Sequence, residues 1–107
     1  GRSDDLIKVA GEKIYPAEVE RAIEQMEGVE EVAVIGVPDA IRGAALVAFV
    51  QPKAGVTLTE QGLRAACRAC VDGMKLPRSF VVVEQLPRTP SGKLDKKGLA
   101  ERAAEQR

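Results

Sequence analysis

The sequence predicts a small two-layer α+β domain, in which an N-terminal β-hairpin and a three-stranded sheet pack with helices. Three observations predict this class. The length of 107 residues suits one domain. Apolar residues recur at helical spacing in separate stretches, and short runs rich in β-branched residues stand between and after them. No repeat or linker-like stretch divides the chain, so residues 1–107 are predicted to form a single domain.

A hairpin and a helix are predicted at the start of the chain. Residues 6–9 and 13–15 flank Ala10-Gly11-Glu12, whose glycine suits a tight turn. Pro16 then stands where a helix tolerates proline in its first turn. Gly28 is expected to end this amphipathic helix. Its apolar residues follow the i, i+3, i+4, i+7 pattern: Val19, Ala22, Ile23 and Met26.

Two strands are predicted after this helix. Residues 32–37 (VAVIGV) are apolar on both alternating faces, which is typical of a strand buried on both sides. Pro38-Asp39 is expected to break this strand. Residues 45–50 form the second strand, which Pro52 and Gly55 are expected to end.

A helix, a strand, a loop and a last short helix complete the prediction. Thr57 with Glu60 matches a capping box at the start of the second helix. Residues 80–83 read as a strand and residues 85–93 as a loop, after which Asp95 is expected to cap a helix that contains Leu99 and Ala103. The buried face of the second helix is predicted from its spacing: Leu63, Ala66, Cys67, Cys70 and Val71.

Charge and composition narrow the classes of function. Basic and acidic residues number 16 each, so the chain lacks the positive field of a general nucleic-acid binder. Aromatic residues make up 3%, too few for base-stacking platforms. No apolar run approaches a membrane span of roughly 18 residues, and no signal peptide is recognisable, so a soluble cytoplasmic protein is expected. The chain begins with Gly1 inside a motif, so we expect a fragment of a longer protein.

Cys67 and Cys70 form a C-x-x-C pair with three interpretations: a redox pair, half of a metal site, or small core residues. A zinc site needs about four ligands, and the sequence has no histidine and no further cysteine. Both residues also continue the apolar stripe of the second helix. We therefore expect no metal site, and buried core positions for both cysteines.

A loop rich in proline and glycine carries the first candidate functional residue. Two prolines restrict the backbone of residues 85–93, and Gly92 permits a sharp turn directly before Lys93. Such a loop suits the placement of one cation against an anionic substrate. It is not a nucleotide-binding P-loop, because Leu94 stands where a magnesium-binding Ser or Thr is required. Composition alone leaves Lys93 open between this role and an ordinary solvated charge.

The second candidate is the N-terminal segment, residues 1–20. Charged and apolar residues alternate up to the predicted hairpin tip at Gly11, and a helix begins shortly afterwards. From the residues alone, a plain hairpin with a solvated polar face remains the alternative.

Taken together, these segments resemble one family. Residues 1–20 resemble the hinge-and-hairpin motif of the adenylate-forming superfamily, which comprises acyl-CoA synthetases, peptide-synthetase adenylation domains and luciferases. Residues 87–93 (PRTPSGK) resemble the catalytic-lysine motif in the C-terminal domain of that family. Residues 36–43 (GVPDAIRG) and 75–78 (KLPR) are similar to family segments in the same order. The resemblance covers nearly the whole chain.

The resemblance implies a part of an ATP-dependent, AMP-forming ligase. Family members join a carboxylic acid to ATP, giving an acyl-adenylate and pyrophosphate, and then pass the acyl group to a thiol. The chain resembles their small, mobile C-terminal domain, beginning at the interdomain hinge, without the large N-terminal domain that binds ATP and acid. ATP with magnesium and CoA are the expected substrates of the complete enzyme. This domain alone is expected to bind neither and to be inactive.

The resemblance also implies roles for single residues in the first half-reaction. Lys93 matches the adenylation lysine of the family and is the expected catalytic residue. Arg2 and Lys13 are expected to contact the nucleotide. Asp4 falls at the hinge position, where a few backbone dihedrals absorb the domain rotation.

For the second half-reaction, the resemblance points to the hairpin. Gly11 is expected to line the pantetheine tunnel, where the absence of a Cβ permits close backbone approach. Lys8 flanks this tip and is expected to contact CoA. One departure follows Gly43, where Ala44 and Ala45 replace a frequent acidic residue, which puts one interdomain polar contact in doubt.

The expected function is that of the C-terminal domain of an acyl- or aryl-CoA synthetase. Tyr15-Pro16 resembles CoA ligases more than peptide-synthetase domains. The alternatives are an adenylation domain that loads the phosphopantetheine of a carrier protein, and a free-standing module that complements a separate N-terminal domain in trans. The acid cannot be read from this chain, because the acyl pocket belongs to the large domain.

Overall fold

The computed structural model of the chain describes residues 6–105, so the predicted roles of Arg2 and Asp4 lie outside the described residues. Eight helices and strands follow one another within this range, with a short 3-10 turn (Gly73–Lys75) before β5. In chain order they are β1 (Ile7–Val9), β2 (Glu12–Ile14), α1 (Pro16–Glu24), β3 (Val29–Asp39), β4 (Gly43–Pro52), α2 (Glu60–Arg68), β5 (Ser79–Val82) and α3 (Lys96–Glu105).

The strands form the two predicted sheets. β1 and β2 are an antiparallel hairpin, and the larger sheet has the order β3-β4-β5. β3 pairs antiparallel with β4, whereas β4 pairs parallel with β5, and α2 lies in the crossover that a parallel pair requires. The predicted α+β class, with its hairpin, three-stranded sheet and helices, is confirmed.

β3 is buried on both of its faces, as its apolar sequence predicts. On one face, Val32 and Val34 lie in a core with the hairpin and helices α1 and α2. On the other face, Ala33, Ile35 and Val37 lie in a second core. The second core is completed by residues of β4, the segment after β5, and α3: Ala45, Val47, Phe49, Val83, Leu86, Leu99 and Ala103. Helices therefore cover both faces of the sheet, and β3 and β4 each contribute residues to both cores.

The prediction that Pro38-Asp39 breaks the first long strand is wrong. β3 runs through Pro38, which pairs with Ala44, and ends at Asp39 opposite Gly43. The physical reason is that β3 is an edge strand of the sheet, where the missing N–H of a proline is tolerated. Gly43, with φ of +84°, provides the positive backbone angle with which the chain enters β4.

Two predicted helix ends are also wrong. α1 ends at Glu24 with Gln25 as its C-cap, and Gly28 lies in the turn that leads to β3. Gly28 has φ of +88°, and a Cβ there would lie 2.8 Å from the Val56 side chain, so glycine permits both the turn and a close approach.

The N-cap of α2 is Thr59 and not Thr57. Helix α2 begins at Glu60, so the residue directly before it occupies the capping position with extended backbone. The N–H of Gly62 donates to Thr59 Oγ1 at 3.1 Å. The predicted cap of α3 is confirmed, since the N–H of Gly98 donates to Asp95 Oδ1 at 3.0 Å.

The two cysteines differ in exposure, which corrects the prediction that both are buried. Cys67 lies within α2 and is buried, whereas Cys70 lies beyond the end of α2 at Arg68 and is exposed. Burial raises the pKa of the Cys67 thiol to about 11. Within residues 6–105, no three side chains of metal-ligand type come together as a metal site needs. None of the helices in this range has the length and apolar character for crossing a bilayer.

This difference in exposure predicts a difference in thiol reactivity. Iodoacetamide should modify Cys70 at least roughly tenfold faster than Cys67, because reaction requires an accessible thiolate. The rates are measured by peptide mass spectrometry on samples quenched over time. In concentrated urea the two rates should converge, and equal rates in the native protein would contradict the structure.

Candidate functional site

Lys93 directly follows a closed turn in the loop between β5 and α3. The N–H of Gly92 donates to the Thr89 carbonyl at 2.8 Å, and the N–H of Thr89 donates to the Lys93 carbonyl at 2.7 Å. Pro90 occupies the second position of this turn, where its fixed φ is favourable. Gly92 has φ of +91°, a conformation that glycine adopts readily. The loop therefore has a defined shape while Lys93 itself is exposed.

A single arginine fastens this turn to the sheet. Nη1 of Arg88 donates to the Gly92 carbonyl at 3.0 Å, and Nη2 of Arg88 pairs with both carboxylate oxygens of Glu31 on β3. We call this set of contacts the Arg88 clasp. Arg88 also pairs with Leu94 in an isolated antiparallel bridge. The backbone before and after Lys93 is thus held to β3, and the ammonium group projects from a fixed base.

A cavity of about 320 Å³ lies beside Lys93. Its walls include the Arg88 clasp, and Lys96 pairs there with Glu20 at 2.7 Å. The same carboxylate accepts the N–H of Val34 at 2.8 Å, so Glu20 joins α1, β3 and α3. Among the residues that the structure describes, Lys93 forms no ion pair. Its charge is therefore available to a bound anion.

The hairpin has a tight turn with an unusual residue. Ala10 has φ of +52° and Gly11 has φ of +85°, the pattern of a two-residue turn with two positive φ angles. A Cβ at Gly11 would meet nothing within 4 Å, so this backbone is open to solvent. Lys8 and Lys13 are exposed and lie directly opposite each other. The tip is fixed at one point, where the Ala10 N–H donates to the Arg42 carbonyl at 2.7 Å.

The Asp39 side chain shapes the turn between β3 and β4 that receives this bond. Oδ1 of Asp39 accepts the N–H groups of Ile41 at 2.8 Å and Arg42 at 2.9 Å. The N–H of Arg42 and then that of Ile41 hold the pKa of Asp39 below its usual value of 3.8, and the charge of Arg78 adds to this effect. Asp39 is therefore charged at neutral pH.

The two candidate elements are attached to opposite ends of β3. The Arg88 clasp reaches Glu31 near the start of the strand, and the hairpin tip is bonded beyond Asp39 at its end. With a rise of about 3.3 Å per residue, these eight steps span about 26 Å. The points at which the Lys93 loop and the hairpin tip are attached are therefore separated by most of the length of β3.

Sequence reasoning missed the residues that hold these elements. Arg88 lies inside the PRTPSGK motif, but its partner Glu31 is 57 positions away in the chain. The Asp39–Arg78 ion pair, 2.8 Å long, likewise joins residues 39 positions apart. The partial signal was that Asp39 and Arg78 each belong to a segment that resembles the family.

Comparison with known protein families assigns the chain to one of them. The family model described as "AMP-binding enzyme C-terminal domain" matches residues 18–93, which end at Lys93. The chain belongs to this family. This family match confirms the resemblance seen in the sequence.

The chain is similar to parts of longer proteins, among them two CoA ligases and one solved structure. The chain is 46% identical over 101 residues to a 2-succinylbenzoate–CoA ligase of Listeria monocytogenes, covering 94% of the chain and 21% of the relative. It is 42% identical over 101 residues to a mitochondrial medium-chain acyl-CoA ligase of Rattus norvegicus, covering 94% and 16%. The crystal structure of apo MatB from Rhodopseudomonas palustris superposes with a TM-score of 0.90 at 36% identity, covering 98% and 21%. The chain thus spans about a fifth of the length of the first of these relatives.

Gly92 offers a test of the turn that precedes Lys93. Gly92→Ala should destabilise the domain by about 1 kcal/mol, because an L-residue is strained at this positive φ even though no atom lies within 4 Å of the new Cβ. Urea unfolding of the chain measures the change.

Gly73→Ala is the matched control for Gly92→Ala. Gly73 has the same open surroundings without a positive φ, so the free energy of unfolding should change by less than about 0.5 kcal/mol. Equal effects of the two substitutions would show that the turn carries no backbone constraint.

Proposed function

We propose that this domain is the mobile C-terminal part of an acyl- or aryl-CoA synthetase and serves its two half-reactions in turn. The observation that carries the proposal is Lys93, an exposed cation on a loop held by the Arg88 clasp, at the last residue of the family match. In the first half-reaction the domain presents Lys93 to the large N-terminal domain. After rotation about a hinge at Asp4, it presents the hairpin.

Lys93 addresses the electrostatic difficulty of adenylation. A carboxylate must attack the α-phosphate of ATP, and both groups are anionic. An ammonium group between them offsets this repulsion by roughly 4 kcal/mol per contact at 4 Å and an effective dielectric constant of 20. A lysine suits the task because its charge is compact, whereas the planar fork of an arginine needs more space.

The hairpin suits the second half-reaction. The bare backbone at Gly11 permits close approach of the extended pantetheine arm of CoA. Lys8, a cation on the same hairpin, contacts the phosphates of CoA. Lys13 contacts the nucleotide. Two opposed ammonium groups repel each other, so a bound anion would relieve the repulsion. The acceptor thiol thus reaches the acyl-adenylate along a path lined by the hairpin.

The proposed substrates and partners follow from this assignment. The complete enzyme uses ATP with magnesium and CoA, its large N-terminal domain is the partner of this domain, and it is cytoplasmic. The relatives named above are CoA ligases, which supports CoA over a carrier-protein phosphopantetheine as the acceptor. The acid that is activated depends on a pocket outside this domain.

Lys93→Ala in the complete enzyme tests the assignment. Acid-dependent ATP–pyrophosphate exchange should fall at least about a hundredfold, because the charge that stabilises the transition state is lost. Thioester formation from supplied acyl-adenylate and CoA should persist, because Lys93 has no role in that step. Lys97→Ala, which removes a neighbouring exposed cation in α3, should leave both rates unchanged. Equal loss of both half-reactions in the Lys93 variant would contradict the proposal.

Arg88 is expected to act through Lys93. Arg88→Met should lower ATP–pyrophosphate exchange by about tenfold, because Lys93 remains but its loop is no longer fastened to β3. Arg88→Lys should not restore the rate, since one ammonium group cannot bind Gly92 and both oxygens of Glu31 together. The two half-reactions are assayed as for Lys93. Full activity of the methionine variant would show that the clasp is dispensable.

A further inference from the structure

The hairpin is anchored in the core through Val9 and Ile14, whereas its tip residues Ala10 and Gly11 are exposed. β1 and β2 have three residues each, and an isolated two-stranded hairpin of this size is marginal in water. Ala10, the only described non-glycine residue with positive φ, adds strain of the order of 1 kcal/mol. The Lys8–Lys13 repulsion destabilises the hairpin further. A contact at the tip therefore adds to the packing of Val9 in fixing the position of Gly11.

The root of the hairpin is held separately from its tip. Ile7 packs on Gly36 of β3, where a Cβ would lie 3.0 Å from the Ile7 side chain. The contact at the tip is the bond from the Ala10 N–H to the Arg42 carbonyl. Since Arg42 is exposed and its backbone belongs to a turn, this carbonyl holds its position only if the turn does.

Arg78 connects this turn to the sheet and to α2. Its N–H donates to the Leu46 carbonyl of β4 at 2.8 Å, and its own carbonyl accepts Nη2 of Arg64 from α2 at 2.8 Å. Its Nη1 then reaches Oδ2 of Asp39, whose other oxygen holds Ile41 and Arg42. A continuous set of contacts thus runs from the sheet through Arg78 and Asp39 to the Arg42 carbonyl and the hairpin tip.

We propose that Asp39 and Arg78 are positioning residues for the thiol-transfer half-reaction, because their ion pair sets the place of the hairpin tip. This inference rests on the proposed function, in which the hairpin serves CoA. It predicts a selective effect. The Lys93 loop is attached about 26 Å away at the other end of β3, so loss of the pair leaves adenylation intact.

The test uses Arg78→Met and Asp39→Asn in the complete enzyme. Arg78→Met removes the charge and keeps the length of the side chain, while Asp39→Asn retains an oxygen for the Ile41 and Arg42 N–H groups. Both variants should lower thioester formation from supplied acyl-adenylate about tenfold, seen as a fall in kcat more than a rise in the KM for CoA. ATP–pyrophosphate exchange should stay at the level of the parent enzyme.

Two further variants separate positioning from general destabilisation. Arg78→Lys should restore thioester formation to within about threefold of the parent rate, because only one nitrogen of Arg78 contacts Asp39. Glu18→Gln, the matched control, breaks an ion pair of similar length to Lys75, at 2.7 Å, and should alter neither half-reaction.

The rate of hydrogen exchange at the Ala10 amide tests whether the Asp39–Arg78 ion pair holds the hairpin tip, and it needs no assay of activity. Exchange should be at least about fivefold faster in Arg78→Met than in the parent or in Glu18→Gln. Unchanged exchange, unchanged thioester formation, or an equal loss of both half-reactions would each overturn the inference. If the parent enzyme makes no thioester with any thiol, the proposed function fails, while the exchange rates still decide whether the ion pair holds the tip.

Discussion

The burial of β3 on both faces is the constraint on which the rest of the domain depends. One face carries the hairpin and helices α1 and α2, and the other carries α3 and the segment after β5. Glu20 closes the arrangement at the edge of the strand, because one carboxylate oxygen receives both the Val34 N–H and the Lys96 ammonium group. A change that displaced β3 would therefore move both candidate elements together, because each of them is held by contacts with this strand.

Each reactive element is fastened by its own ion pair at its own end of the strand. The Arg88 clasp ties the lysine loop to Glu31, and the Asp39–Arg78 pair supports the turn that receives the hairpin tip. The two candidate elements are thus held at opposite ends of the same strand. In the function proposed above, a rotation that presents one end of β3 to the reaction centre withdraws the other end.

Much of the fold could be predicted from the sequence, because periodicity reports burial directly. The continuous apolar run in residues 32–37 predicted two covered faces, and the PRTPSGK segment predicted a constrained loop before Lys93. Boundaries were less predictable: Pro38 is tolerated only because β3 is an edge strand, which no local pattern reveals. The Arg88–Glu31 partnership was not predictable either, since 57 positions separate the partners and any of many acidic residues was a candidate. Tertiary contacts decided these points.

The edge of β3 that faces away from β4 affects association between copies of the chain. A strand edge with unpaired N–H and C=O groups is a template for aggregation with other chains. Here Pro38 offers no amide hydrogen, and the amide of Val34 is already engaged by Glu20. A second copy of the chain would therefore meet an interrupted row of backbone hydrogen-bond donors along β3. Pro38 and the Glu20–Val34 hydrogen bond thus oppose edge-to-edge pairing of two copies through this strand.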